Sequence, residues 1–184
     1  MAERFQSLAH YIREAAGVTC SAFLEVHKHP VLLWSKGEQL LEVSGFQFET
    51  FSNDYNNEQP GDPSPATQSQ ISETLVTEIR KHSSSGPSTM ICVGRAANND
   101  IVFTSTTVSK LHAYFLKADG DSYEIVDADS TNGTRVNSQQ LLAYQNQPLY
   151  NRDLIQFGPS IQVMYLSRQG FYEFLQHLQR SGIV

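Results

Sequence analysis

Three short stretches of this 184-residue chain hold side chains suited to gripping a doubly charged oxyanion: Gly94-Arg95, Ser109-Lys110-Leu111-His112 and Ser130-Thr131-Asn132-Gly133-Thr134. A phosphate monoester on a side chain carries close to two negative charges near neutral pH and three strong acceptor oxygens. The guanidinium of Arg95 offers a planar pair of donors and cannot lose its charge. Ser109 and Thr131 add hydroxyl donors, and Lys110 adds a mobile point charge. Asn132 carries both a donor and an acceptor, which suits the backbone of a bound peptide. Each stretch alone is a weak signal. Their order and spacing, with short β-like runs between them, describe loops at one end of a β-sandwich, where the four side chains would converge on one phosphate. His112 reads as a buried imidazole that bridges backbone groups and holds the Arg95 and Ser109 loops in place. Gly133 supplies the positive φ of a turn, and Gly94 allows close backbone approach.

The elements that must position these residues are legible from Thr89 onward. Short apolar runs at 90–94, 101–103, 112–117, 122–127, 134–136, 148–150, 154–157 and 161–166 alternate with turn clusters, as an antiparallel sandwich requires. Asp119-Gly120 and Asn132-Gly133 are the tight-turn pairs. Residues 71–81 fit both a helix (Ile71, Leu75, Ile79) and a strand (Leu75, Thr77, Ile79), and a strand is expected because the sandwich needs a first strand there. Upstream, residues 2–16 read as an amphipathic helix with Phe5, Leu8, Ala9, Ile12 and Ala16 on one stripe and Gly17 at its stop. Ala22–Val26 and Val31–Trp34 are expected as strands flanking a turn at Pro30, with one or two further short elements in Glu38–Phe51. Gly170–Arg180 closes the chain with a helix whose apolar stripe is Phe171, Phe174, Leu175 and Leu178.

Five motifs in this order carry a family resemblance: Val93-Gly94-Arg95, Asn99-Asp100-Ile101, Val108-Ser109-Lys110-Leu111-His112-Ala113, Asp129 to Asn137, and Asp153-Leu154-Ile155-Gln156-Phe157-Gly158. Met90–Leu166 resembles the forkhead-associated (FHA) domain, a β-sandwich that binds phosphothreonine peptides through loops at one end. The resemblance implies central roles at Arg95, Ser109 and Asn132 and auxiliary contacts at Lys110 and Thr131. It also implies a small pocket that favours threonine over serine. One methyl is worth ~1 kcal/mol or less by burial, so strong selectivity also needs a fixed rotamer.

Composition narrows the function further. The net charge is −6, with −5 in residues 1–89 and −1 in residues 90–184, so neither half is a polycation and bulk nucleic-acid binding is not expected. Two cysteines, Cys20 and Cys92, do not make a disulfide scaffold, and a reducing compartment is expected. No apolar run has transmembrane length, and no membrane partner is expected. Ser109 and His112 stand three apart, so on a strand they point to opposite faces and do not make a nucleophile and base. Asp127 to Ser138 imitates a calcium loop but has Asn132 where glycine is needed and Ser138 where glutamate is needed. Cys20, His27 and His29 could supply three zinc ligands, but Cys20 lacks a partner at normal spacing, so no zinc site is expected.

The expected organisation is an N-terminal helix plus short strands over 1–51, a polar linker over 52–70, a sandwich over 71–167 and a C-terminal helix over 168–184. The fold class is mainly β, an antiparallel sandwich with helices at both ends. The expected function is non-enzymatic recognition of a threonine-phosphorylated protein, a Ser/Thr kinase or its substrate, in the cytoplasm, with no cofactor and no metal. Two alternatives stay open: an interaction scaffold indifferent to phosphorylation, and a separate activity in residues 1–70 that the sandwich only targets.

Overall fold

The computed structural model describes residues 5–35, 71–82 and 87–180. In chain order the elements are β1 (Gln6–Ser7), α1 (Leu8–Ala15), α2 (Cys20–Val26), β2 (Val31–Ser35), β3 (Thr74–Glu78), β4 (Met90–Gly94), β5 (Ile101–Val102), β6 (Ala113–Lys117), β7 (Tyr123–Asp127), β8 (Thr134–Val136), β9 (Gln139–Gln140), β10 (Gln147–Leu149), β11 (Leu154–Phe157), β12 (Ile161–Leu166) and α3 (Arg168–Arg180). They form two sheets, one ordered β1-β3-β2-β12-β11-β8-β9 and the other β10-β7-β6-β4-β5. Every pairing is antiparallel except β4 with β5. The fold is therefore the expected mainly antiparallel β-sandwich with helices before and after it.

The apolar pattern of two strands explains the layering. On β12, Ile161, Val163 and Tyr165 face the core between the sheets, while Met164 and Leu166 face a second core under the helices. On β2, Leu32 joins the first core with Trp34 packed against it, and Val31 and Leu33 join the second. A strand buried on both faces reads as a continuous apolar run, which is why Val31-Leu32-Leu33-Trp34 lacks polar alternation. The seven-stranded sheet is thus a middle layer, with the five-stranded sheet on one face and the three helices on the other.

Side chains of α3 tie that helical layer together. The last carbonyls of a helix lack partners within it. Gln179 donates to the Ile12 carbonyl at 2.6 Å, Gln176 to that of Ala15 at 3.0 Å, and the Tyr172 hydroxyl to that of Val18 at 2.7 Å. Arg168 does the same for α2, donating to the Leu24 and His27 carbonyls at 2.7 and 3.2 Å while it pairs with Asp121 at 2.7 Å.

Three expectations need correction or limits. Ala22–Val26 is helical. Phe23 is its buried residue, stacked near Tyr172 and Phe171 at 5.4 and 6.1 Å, and Val26 is left 72% exposed, so burial follows one helical face rather than alternate positions. The division at residue 51 fails for β2, which lies inside the sheet between β3 and β12 and so belongs to the sandwich. The first helix is Leu8–Ala15, preceded by the short strand β1, and Gly17 beyond its end has φ +71°. The expected elements in Glu38–Phe51 and the linker at 52–70 lie outside the described residues. Residues 71–81 contain strand β3 at Thr74–Glu78 after a helical turn at 71–73.

Candidate phosphate-binding loops

Strands β4, β6 and β7 are antiparallel neighbours, so the end of β4, the start of β6 and the end of β7 share one end of the sandwich. Arg95 follows β4, Ser109 to His112 precede β6, and residues 128–133 lead from β7 across to β8 in the other sheet. All five expected contact residues, Arg95, Ser109, Lys110, Thr131 and Asn132, therefore lie on loops of that end.

Hydrogen bonds fix these loops against one another. The Arg95 N–H donates to the Ser109 carbonyl at 3.0 Å and the Ala96 N–H to the Lys110 carbonyl at 3.2 Å. A Cβ on Gly94 would collide with that Lys110 carbonyl, so the close approach of the two loops requires glycine. The Ser109 N–H donates to His112 Nδ1 at 3.0 Å, and His112 Nε2 lies 3.1 Å from the Gly133 carbonyl. Nδ1 is thus an acceptor and Nε2–H the donor, which makes the ring neutral. It is fully buried, and burial holds its pKa below the ordinary 6.5 despite the opposing pull of the Gly133 carbonyl and Asp127. One imidazole thereby joins the Ser109 loop to the Gly133 turn, whose φ is +76°.

The hydroxyls meet across that join. The Ser109 hydroxyl donates to Thr131 Oγ1 at 3.3 Å, and the Thr131 N–H donates to Ser109 Oγ at 3.1 Å. The Ser109 hydroxyl hydrogen can turn from its long bond to Thr131 toward an anion, while the Thr131 N–H keeps Ser109 Oγ in place. Asn132 donates from Nδ2 to the Thr107 carbonyl at 2.7 Å, so its amide plane is already set and its Oδ1 remains an acceptor. Arg95 and Lys110 are exposed, and among the described residues neither takes part in an ion pair. The end thus offers two uncommitted cations beside two facing hydroxyls, the arrangement an incoming dianion needs.

Sequence reasoning missed the residues that brace these loops. Asp127 is buried and accepts from the Ser130 N–H at 2.9 Å, the Ser130 hydroxyl at 2.7 Å and the Thr134 hydroxyl at 2.5 Å. Burial pushes its pKa up, but Thr134 and Ser130 outweigh burial and hold the carboxyl below its ordinary value. The Asp127-to-Ser130 spacing of a side-chain-capped turn was the available signal. Asn99, also buried, donates to the carbonyls of Ala96 and Lys110 at 2.9 and 2.6 Å. Its neighbour Asp100 accepts from Lys81 at 3.0 Å and from the N–H groups of His82 and Cys92 at 2.7 and 2.8 Å. No local spacing announces these longer links. Cys20, His27 and His29 form no metal cluster, since no group of three or more His, Cys, Asp or Glu is placed to hold a metal ion among the described residues.

Residues 91–158 match the sequence model of the FHA domain. Over that stretch the chain is similar to the FHA domain, and the stretch includes the loops built above. Two proteins named oxoglutarate dehydrogenase inhibitor match over 65 residues: one from Corynebacterium jeikeium at 43% identity, covering 35% of this chain and 42% of that protein, and one from Corynebacterium diphtheriae at 40%, covering 35% and 43%. The matched stretch is therefore less than half the length of either relative. Among solved structures, Mycobacterium tuberculosis EmbR in complex with a low-affinity phosphopeptide shares 28% identity over 44% of this chain and 20% of that one, with a TM-score of 0.39. Upstream of the FHA match, β1, β2 and β3 complete one edge of its seven-stranded sheet. Among the described residues no helix is long and apolar enough to cross a membrane.

Proposed function

We propose that this chain reads phosphorylated threonine in a protein partner, without catalysis, and acts in Ser/Thr kinase signalling. Arg95, Ser109, Lys110 and Thr131 bind the phosphate and Asn132 the peptide backbone beside it, with Gly94, His112 and Gly133 supporting the loops. The observation that carries the reading is the pairing of Ser109 with Thr131 across two loops, held by a neutral His112, beside an Arg95 that no described carboxylate neutralises. A phosphate replaces the weak hydroxyl pair with charge-assisted bonds, which are roughly twice as strong as neutral ones. The FHA match and relatives named as inhibitors of an enzyme support a protein as the partner, a Ser/Thr kinase or its substrate.

Calorimetry with paired peptides tests this. A phosphothreonine peptide should bind, its unphosphorylated twin should not, and Arg95→Ala should weaken binding at least about 100-fold, since a charged hydrogen bond is worth ~1.5–3 kcal/mol and Arg95 supplies two. The variant's melting temperature should not change, because the side chain is exposed. Equal binding of both peptide forms, unaffected by the variant, defeats the reading in favour of a phosphorylation-independent scaffold.

A further inference from the structure

The chain's only Asn-Gly pair, Asn132-Gly133, lies in the phosphate loops. Asparagine is a chemically labile residue. The backbone nitrogen that follows it can attack the side-chain carbonyl carbon and close a five-membered imide, and glycine has no Cβ to stand in the way. Three observations leave that route open here. Asn132 is exposed, so water reaches it. Its amide is held at one end only: Nδ2 donates to the Thr107 carbonyl at 2.7 Å, while Oδ1 takes no hydrogen bond among the described residues. The Gly133 N–H donates to no group among the described residues, although the Gly133 carbonyl is engaged twice, by the Gly158 N–H at 3.0 Å and by His112 Nε2 at 3.1 Å. The attacking nitrogen is therefore uncommitted on a turn that is otherwise fixed. Asn137 supplies the contrast. It also precedes a small residue, Ser138, but its amide is clamped at both ends: Nδ2 donates to Asp153 at 2.8 Å and Oδ1 accepts from the Leu154 N–H at 2.9 Å.

We propose that Asn132 is a self-modification site, whose deamidation switches the phosphothreonine site off. The Gly133 nitrogen gives its proton to solvent and bonds to Asn132 Cγ, the Cγ–Nδ2 bond breaks, and ammonia leaves. Water then opens the imide at either carbonyl, leaving aspartate or isoaspartate at position 132. The net change is one water in and one ammonia out, with no electron transferred. The consequence for binding rests on the phosphothreonine reading above. The product lacks Nδ2, so the Thr107 carbonyl loses its donor. It carries a carboxylate among the phosphate loops, where it repels the incoming dianion. The isoaspartate form also lengthens the backbone by one atom in the turn that His112 grips. A bound peptide covers Asn132 and slows the reaction.

Ageing the full chain in warm, mildly alkaline buffer tests the switch. Peptide mapping by mass spectrometry locates the change, ion exchange separates the more acidic product, and calorimetry measures each fraction against a phosphothreonine peptide and its unphosphorylated twin. Asn132 should convert ahead of Asn137. The acidic fraction should bind the phosphopeptide at least about tenfold more weakly than the unmodified one. Saturating phosphopeptide should slow the conversion, and the twin should not. Asn132→Asp should reproduce the loss without ageing, its fold intact by circular dichroism. Conversion of Asn137 while Asn132 stays intact, or a modified fraction that binds as tightly as the unmodified one, overturns the switch while the phosphothreonine reading stands. Failure of the unmodified chain to prefer the phosphopeptide over its twin overturns the parent reading and the switch together.

Discussion

At the residue scale, the expected ligand-contacting residues announce themselves by local motif, whereas the residues that aim them do not. Arg95 after Gly94, Ser109 before His112, and Thr131-Asn132 before Gly133 are each readable from neighbours in sequence. Asn99 holds the Lys110 carbonyl eleven residues away, and Asp100 takes Lys81 nineteen residues away, links that exist only once the strands have paired. Two predictions belong here. The His112 ring, whose pKa lies below 6.5, should stay neutral at pH values where a free histidine is half charged, and its ring protons should titrate below 6.5 by NMR. The folded state disfavours the protonated ring, so stability from the neutral ring is complete above 6.5 and falls as pH drops from there toward the folded pKa. Phosphopeptide affinity should hold through that window and weaken only at lower pH, as the folded ring itself takes a proton and the Ser109–Gly133 bridge is lost. Asp127→Ala strands the buried Thr134 hydroxyl and the Ser130 N–H without their acceptor. It should cost about 2–4 kcal/mol in denaturant unfolding.

At the element scale, strand existence was legible because each short run from residue 90 onward carries its own apolar alternation and turn residues. The misread element is α2. Seven residues with a single buried side chain give neither period enough repeats to decide, and the outcome was set by Phe23 packing on Tyr172 and Phe171 of a helix about 150 residues later in sequence. β2 was recognised as a strand but assigned to an extension, since nothing local says that it inserts beside β12. That placement is testable. Trp34 is the chain's one tryptophan and packs between Phe5 and Phe103, with ring centroids 5.5 Å from each. Its fluorescence should change in the same unfolding transition as the β-sheet circular dichroism, whereas an independent extension would give two. Leu33→Ala, fully buried beneath the helices, should destabilise that single transition by about 2–5 kcal/mol.

At the scale of the whole molecule, a modest charge of −6 leaves recognition to a few focused cations rather than to a broad field. The register of the seven-stranded sheet has a further consequence. Ser35 pairs with Thr74, and β2 runs antiparallel to β12, which itself begins beside the Gly158–Gly133 contact of the phosphate loops. The chain between Ser35 and Thr74 therefore departs from and rejoins the ligand-facing pole. Val31, which pairs with Leu166 and Glu78, stands at the opposite pole. Anyone fixing this protein to a sensor surface inherits a rule from that polarity. A linker attached near Ser35 draws the recognition face toward the support, whereas attachment near Lys28 presents it to solution.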